Sequence, residues 1–444
     1  MPNHVVMIDL VGAVPKHFDP PSLFPELGSI FRPGGIRPVR PVFPAVTCPV
    51  QVSMVTGVPP SQHGIISNGL FDRERREVTM WTWPASRIER PAVWDVLRKR
   101  APRARIAVFF FQGLKAATTD IYLNPHPRHT PDGKTIPWCD SRPEGLYERL
   151  AEKLGHFPLH KYWGPMADID SSRWILNGAL HAIAQYRPEL SLVYVPHLDY
   201  VGQRCGPDGL EFAAEARRID GLVAQFIRDL GMALKPADPV VLLTSEYAFR
   251  PVSRAALPNV ALRDAGLLKV VEKDGCELPD LAASAAFAMV DHQVAHVYVQ
   301  GDALGAVRSV LAELDGVGEV CGTERLRELG AAHPNSGELV LLAKPDRWFA
   351  YYWWNDPGKA PPFARTVDIH RKPGYDPVEL FVDPRTRSIP LDTSLVRGSH
   401  GLPPGSPADR VILAVAGTDM TAPAVSDVAG VAGLAAELVL SGRA

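Results

Sequence analysis

Four short runs, His4 to Ile8, Arg105 to Phe110, Leu190 to Val195 and Val240 to Leu243, are mainly apolar at consecutive positions rather than alternate ones, and polar or turn residues bound each of them. A segment that is apolar on both faces predicts a strand buried on both sides, as in the middle of a parallel sheet. Ahead of the fourth run, Ile219, Leu222, Val223, Phe226, Ile227 and Leu230 recur at three- and four-residue steps, the period of one face of an amphipathic helix. Strand alternating with helix implies crossover units and a doubly wound α/β sheet. From about residue 285 the pattern changes to a strand-like Val294 to Val299, a helix-like Asp302 to Leu314 and a strand-like Glu338 to Ala343. These predict a smaller α/β cap at 285–388, inserted between a core at 1–284 and its completion at 389–444. Proline concentrates in Pro15 to Pro44 and Pro357 to Pro373, which predicts ordered loops rather than helices there.

With 444 residues, 46% hydrophobic and 22% charged, the chain can bury a large core. Its formal charge of -2 gives no excess of cations to grip a nucleic acid. Cys48, Cys139, Cys205, Cys276 and Cys321 are scattered and form no C-x-x-C pair, so neither a disulfide framework nor a zinc knuckle is expected. The first residues carry no signal-peptide pattern, and the apolar stretch from Val411 to Leu440 is broken by Asp419, Asp427 and Glu437. A cytoplasmic protein that does not engage a membrane is the expectation; oligomeric state is not legible.

Ligand sites in open parallel sheets lie beyond the carboxyl ends of the strands. Asp9, Asp199 and Glu246 each stand at or just after such an end. The most specific local signal is the segment Thr47 to Ile65, followed by Asn68. A threonine hydroxyl is a weak nucleophile at neutral pH and needs a base or a metal to carry charge as an alkoxide. Thr47 stands eight residues before Val-Thr-Gly-x-x-Pro-x-x-His-Gly-Ile. This resembles the nucleophile helix of the type I phosphodiesterase / nucleotide pyrophosphatase branch of the alkaline phosphatase superfamily.

The resemblance implies a three-layer α/β/α sandwich with a mostly parallel central sheet. It further implies hydrolysis of a small-molecule phosphate ester, with Thr47 attacking phosphorus, Asn68 donating to a phosphoryl oxygen, and two divalent metal ions. Asp9 matches the family's first metal ligand, Asp199 begins the counterpart of its D-x-x-x-H element, and His400 resembles its late histidine. Gln203 stands where the family has His, and Glu246-Tyr247 where it has Asp-His. Gln203 is a weak neutral oxygen donor, and Tyr247 must lose a proton of ordinary pKa about 10 to ligate strongly. Zinc is what the family implies, while the shift from imidazole to oxygen favours manganese or magnesium.

Asp291-His292 and Asp368, His370, Arg371, Lys372 and Asp376 also concentrate chemistry. The second group suits an anion or a metal, or simply forms a turn around Pro373-Gly374. His197, two residues before Asp199, is a further candidate. His296 lies inside a strand pattern and is expected to be a hydrogen-bonded strand residue. Trp81, Trp83 and Tyr351 to Trp354 are expected to pack in the interior. The functional expectation is cleavage of phosphodiester or pyrophosphate bonds. A phosphomonoesterase or phosphonate hydrolase, or a phosphate-binding protein with a degraded metal site, stands as the alternative.

Overall fold

Apolar runs that would be unstable at a surface become the central strands of one eight-stranded sheet. The computed structural model describes residues 4–20, 22–32, 35–129, 135–418 and 424–442. The sheet contains β1 (Val5–Leu10), β2 (Ile36–Val39), β3 (Ile106–Phe109), β4 (Ile121–Pro125), β5 (Cys139–Arg142), β6 (Leu190–Val195) and β7 (Val240–Thr244). A smaller four-stranded antiparallel sheet follows in the chain: β8 (Ala286–Asp291), β9 (Val294–Val299), β10 (Val317–Cys321) and β11 (Leu339–Ala343). The last strand of the large sheet is β12 (Val411–Ala416). The large sheet runs in the order β2-β12-β7-β1-β6-β3-β4-β5, with β7, β1, β6, β3 and β4 parallel to one another. Antiparallel pairing is confined to its two sides, at β7-β12-β2 and β4-β5. Every residue of β1, β6 and β7 is buried, as the consecutive apolar runs require.

Five helices matter for the site: α1 (Thr47–Thr56), α2 (Ile169–Tyr186), α3 (His197–Cys205), α4 (Leu210–Ala233) and α5 (Val431–Ser441). Helix α4 buries Ile219, Val223, Phe226 and Leu230 of the six-residue stripe read from the sequence, half-buries Leu222 and Ile227, and packs on α2 and α3, while α5 packs on α1. The aromatic run Tyr351 to Trp354 lies in a core formed around the smaller sheet. His296 is buried, with Nε2 3.1 Å from the carbonyl of Ile66 and Nδ1 accepting from the Gly337 amide.

The expectation that Pro15 to Pro44 lacks helix is overturned by the helix Pro25–Phe31. Pro25 opens that helix, where a missing N–H removes no bond. Asp220 of α4 accepts from the amides of Glu26 and Leu27 at 2.9 Å each, meeting the demand of the first turn. The later proline-rich stretch holds only the short 3-10 turns Pro357–Lys359 and Pro362–Arg365, each again with proline at its start. Pro38 lies in the edge strand β2, where a missing donor is tolerated. No helix among the described residues is long and apolar enough to cross a membrane.

Candidate active site

Parallel pairing fixes where the carboxylates meet. Asp9 near the end of β1 pairs in register with Tyr194 of β6 and Thr244 of β7. Asp199 lies in the first turn of α3 beyond β6, and Glu246 lies two residues beyond β7. All three therefore gather at the carboxyl edge of the central strands. Thr47 is the first residue of α1, a helix buried over Thr47 to Val55 and closed by Gly57 in the left-handed conformation (φ 77°). The loop after α1 is pinned back onto it, since His63 Nε2 lies 2.9 Å from Ser53 Oγ and Nδ1 accepts from the Ile65 amide. Burial pushes the His63 imidazole down to about 3, so the ring is neutral. This is the physical use of the His-Gly-Ile part of the motif.

One hydrogen-bonded chain leads away from the nucleophile. Thr47 Oγ1 lies 3.2 Å from Tyr247 Oη, and Tyr247 Oη donates to Asp199 Oδ1 at 3.0 Å. The phenol has a single proton, so Thr47 is the donor to Tyr247. Gln203 Nε2 donates to Asp199 Oδ2 at 2.9 Å, and Tyr375 Oη donates to Gln203 Oε1 at 2.7 Å. His400 Nε2 stands 3.6 Å from Asp199 Oδ1, and its Nδ1 is 2.8 Å from the Ala45 carbonyl. Gly398 permits this approach, because a Cβ there would meet the Gly202 carbonyl of α3 at 2.0 Å. The rings form a column: Tyr247 on His400 (centroids 3.4 Å, 5° apart), His400 on His292 (3.8 Å) and His292 on Tyr375 (3.7 Å). Burial raises the Tyr247 hydroxyl well above its ordinary value, reinforced by Asp199 and Glu246, so it stays protonated.

The other end of the cleft is a pair of carboxylates. Gln51, one turn after Thr47 in α1, donates from Nε2 to Asp9 Oδ2 (3.1 Å) and Glu246 Oε1 (2.5 Å), while its Oε1 accepts from the Gln112 amide (2.5 Å). Asp9 Oδ1 and Glu246 Oε2 are buried with no hydrogen-bond partner among the described residues. Burial lifts Asp9 to about 7, and burial together with the Asp9 charge lifts Glu246.

Asn68 is held from three sides. Its Oδ1 accepts from the Cys48 amide at 2.8 Å, its own amide donates to Asp291 Oδ2 at 2.8 Å, and its Nδ2 donates to Asp291 Oδ1 at 3.0 Å. A side-chain amide has two N–H bonds, so one remains for a ligand. Asp291 also receives Ser67 Oγ at 2.7 Å and faces His292 Nδ1 at 2.8 Å. Burial alone would raise the Asp291 carboxyl, but bonds from His292, Asn68 and Ser67 outweigh it and hold the group below its usual range. His292 sits in the two-residue turn between β8 and β9 with φ 61°, an uncommon conformation for a bulky residue.

Thus Thr47, Asn68, Asp199, Gln203, Tyr247, Asp291, His292 and His400 are linked by contacts into one cluster, and Asp9 and Glu246 meet on Gln51, one turn along α1 from Thr47. Gln51 and Tyr375 join it without having been singled out from the sequence. The spacing of Gln51, four residues after Thr47, is the signal that places it on the same helical face. His197 points elsewhere, its Nε2 2.7 Å from Glu215. His370 Nδ1 lies near the Met80 carbonyl (3.2 Å), and exposed Arg371 pairs with Asp368. Lys372 is buried against Asp376 (2.8 Å) and Glu379 (2.6 Å), and Trp163 Nε1 donates to Glu379 (2.6 Å). That ion cluster anchors the loop that carries Tyr375. Lys372→Met should leave two buried carboxylates without a cation and lower unfolding free energy by roughly 3–5 kcal/mol, read from urea denaturation.

A family model described as type I phosphodiesterase / nucleotide pyrophosphatase matches residues 5–376. The chain belongs to that family. A curated relative, an uncharacterized pyrophosphatase/phosphodiesterase of Schizosaccharomyces pombe, is 24% identical over 218 residues, 48% of this chain and 38% of that protein. The chain thus spans well under half the length of this relative. Human ectonucleotide pyrophosphatase / phosphodiesterase 5 superposes with a TM-score of 0.62 at 14% identity, covering 98% of this chain and 95% of that one. Phosphonoacetate hydrolase from Sinorhizobium meliloti, in complex with phosphonoformate, gives 0.62 at 16% identity, covering 98% and 96%. The murine form of the first, an inactive variant in complex with AMP, gives 0.62 at 14% identity and covers 99% and 95%. These neighbours establish an alkaline-phosphatase-like α/β fold with a large, mostly parallel central sheet.

The family is of a metallo-phosphoesterase type, which implies divalent metals, and the two ends of the cleft fit them unequally. At the Asp9 end, two buried carboxylate oxygens have no hydrogen-bond partner among the described residues. At the Asp199 end, both carboxylate oxygens and the Gln203 carbonyl oxygen are already engaged, and His400 Nε2 alone has no hydrogen-bond partner among the described residues. No group of three or more His, Cys, Asp or Glu among the described residues is arranged to hold a metal ion.

Proposed function

We propose that this chain hydrolyses phosphodiester or pyrophosphate bonds of a small-molecule substrate through a phosphothreonine at Thr47. Family membership and the structural neighbours support phosphoester hydrolysis. The observation that carries the finer reading is the setting of Thr47: its hydroxyl opens α1 and donates toward Tyr247 and Asp199, while Asn68 keeps one N–H free nearby in the chain of contacts.

In the reaction, the Thr47 Oγ1–P bond forms as the bond from phosphorus to the leaving oxygen breaks. The threonine proton leaves along the Tyr247 and Asp199 bonds, and the leaving oxygen is protonated from solvent. Asn68 donates to a phosphoryl oxygen where charge builds. Water then attacks phosphorus, the Thr47 Oγ1–P bond breaks, and the hydroxyl regains its proton. A divalent cation bound at Asp9, Glu246 and Thr47 would supply positive charge to the phosphoryl group and the nucleophile; manganese or magnesium suits those oxygen donors.

The test is hydrolysis of bis-p-nitrophenyl phosphate against p-nitrophenyl phosphate, with chelator-stripped protein resupplied with manganese, magnesium or zinc. Faster turnover of the diester is expected. A preference for the monoester, or cleavage of phosphonoacetate in place of either ester, would replace this reading with the phosphatase or phosphonate-hydrolase one. Silence with all three substrates would favour a binding protein.

A further inference from the structure

We infer that the cleft takes a single divalent cation, at the Asp9–Glu246 end, and that the Asp199–His400 end is a closed hydrogen-bonded stack that excludes a second. The inference rests on the phosphoesterase reading of the site and concerns how this chain departs from a two-metal centre.

Apart from His400 Nε2, the side-chain donors an ion would need at the Asp199 end are already engaged. Asp199 Oδ1 takes the Tyr247 hydroxyl (3.0 Å) and Oδ2 takes the Gln203 amide (2.9 Å). Gln203 therefore presents N–H bonds, not its oxygen, to the place a cation would occupy, and that oxygen is capped by Tyr375 (2.7 Å). Turning the amide would break both bonds at once. His400 keeps an unpartnered Nε2, but its ring is clamped between Tyr247 (3.4 Å) and His292 (3.8 Å). The phenol, parallel to the imidazole to within 5°, covers one face of it. Tyr247, His400, His292, Tyr375 and Gln203 are all buried, with no more than 4% of any of them exposed. Side chains so enclosed relax only if the stack separates.

The Asp9 end is the reverse. Its acceptors outnumber its donors: two carboxylates share one Gln51 amide, and an oxygen of each is left bare inside the protein. Buried carboxylate oxygens without donors are costly unless a cation or proton meets them. Two carboxylates are hard oxygen donors, which suit magnesium or manganese bound jointly with substrate phosphate better than a pair of zinc ions. Gln51 covers the pair from one side and its oxygen is fixed by the Gln112 amide, so the bare oxygens stay where they are.

The experiment is metal stoichiometry of the full chain. Chelator-stripped protein is titrated with manganese, the bound ion is counted by calorimetry and elemental analysis, and its spectrum is read by electron paramagnetic resonance. One ion per chain with a mononuclear signal is expected, lost in Asp9→Asn and in Glu246→Gln and kept in Asp199→Asn. The double variant Gln203→His/Tyr247→His, which removes the capped amide and the stacked phenol and adds two imidazoles, should take up a second ion. Circular dichroism of each variant confirms that lost binding is not lost fold. Two ions per wild-type chain, a spin-coupled signal, no binding at millimolar manganese, or loss in Asp199→Asn with retention in Asp9→Asn would each overturn the inference. Two ions with ester turnover would leave the proposed function standing, whereas one ion with no turnover of any phosphorus ester would sink the function and keep the inference.

Discussion

Thr47→Ala should reduce kcat for the preferred ester by at least about 10,000-fold, because it removes the atom that forms the bond to phosphorus. The same change should cost only about 1 kcal/mol of stability, since Thr47 makes one side-chain hydrogen bond, to Tyr247, in a helix whose other buried residues are untouched. Thr47→Ser keeps the hydroxyl and should retain measurable turnover. The checks are steady-state kinetics beside urea unfolding. Loss of activity together with a collapse of stability would point to a structural threonine instead of a nucleophile.

Asp291→Ala should be the most damaging change outside the nucleophile and the carboxylates at the strand ends. Asp291 holds Ser67, the backbone and side chain of Asn68, and His292. Deleting it leaves all of these buried groups without their partner, which predicts a stability loss of roughly 3–5 kcal/mol. In the fraction that folds, kcat should fall about 100- to 1,000-fold with KM changed far less, because a freed Asn68 amide no longer waits where phosphoryl charge develops. Asp291 contacts no reacting atom and acts as a positioning residue through Asn68. If Asp291→Ala lowers stability but leaves kcat of the folded fraction unchanged, the positioning role is wrong.

How much of this was legible beforehand follows from the range of each interaction. The buried strands could be read because a run such as Val5 to Ile8 is apolar on both faces, and the α4 stripe because its period is local. The segment from Thr47 to Asn68 could be read because it resembles the family's motif without a gap, and the helix, glycine cap and pinning histidine that serve it lie within that one stretch of chain. The Tyr375 bond to Gln203 joins residues 172 positions apart, and the Asp291 bonds to Asn68 span 223. Nothing in the local pattern announces either of them. The charges from Asp368 to Asp376 read equally as an anion or metal contact and as a turn around Pro373-Gly374, and burial pairs Lys372 with Asp376 and with Glu379, which lies outside the sequence cluster. Pro25 looked like a helix breaker, and became a helix start because Asp220 of a distant helix meets the first-turn amides. In each of these cases the deciding partner came from elsewhere in the chain.

The most direct test of the Thr47 mechanism is the stereochemical course at phosphorus, using a chiral phosphorothioate diester hydrolysed in oxygen-18 water. Two successive in-line displacements, first by Thr47 and then by water, each invert the centre, so net retention is the predicted result. Net inversion would mean that water attacks the substrate directly, and the covalent threonine would then be excluded.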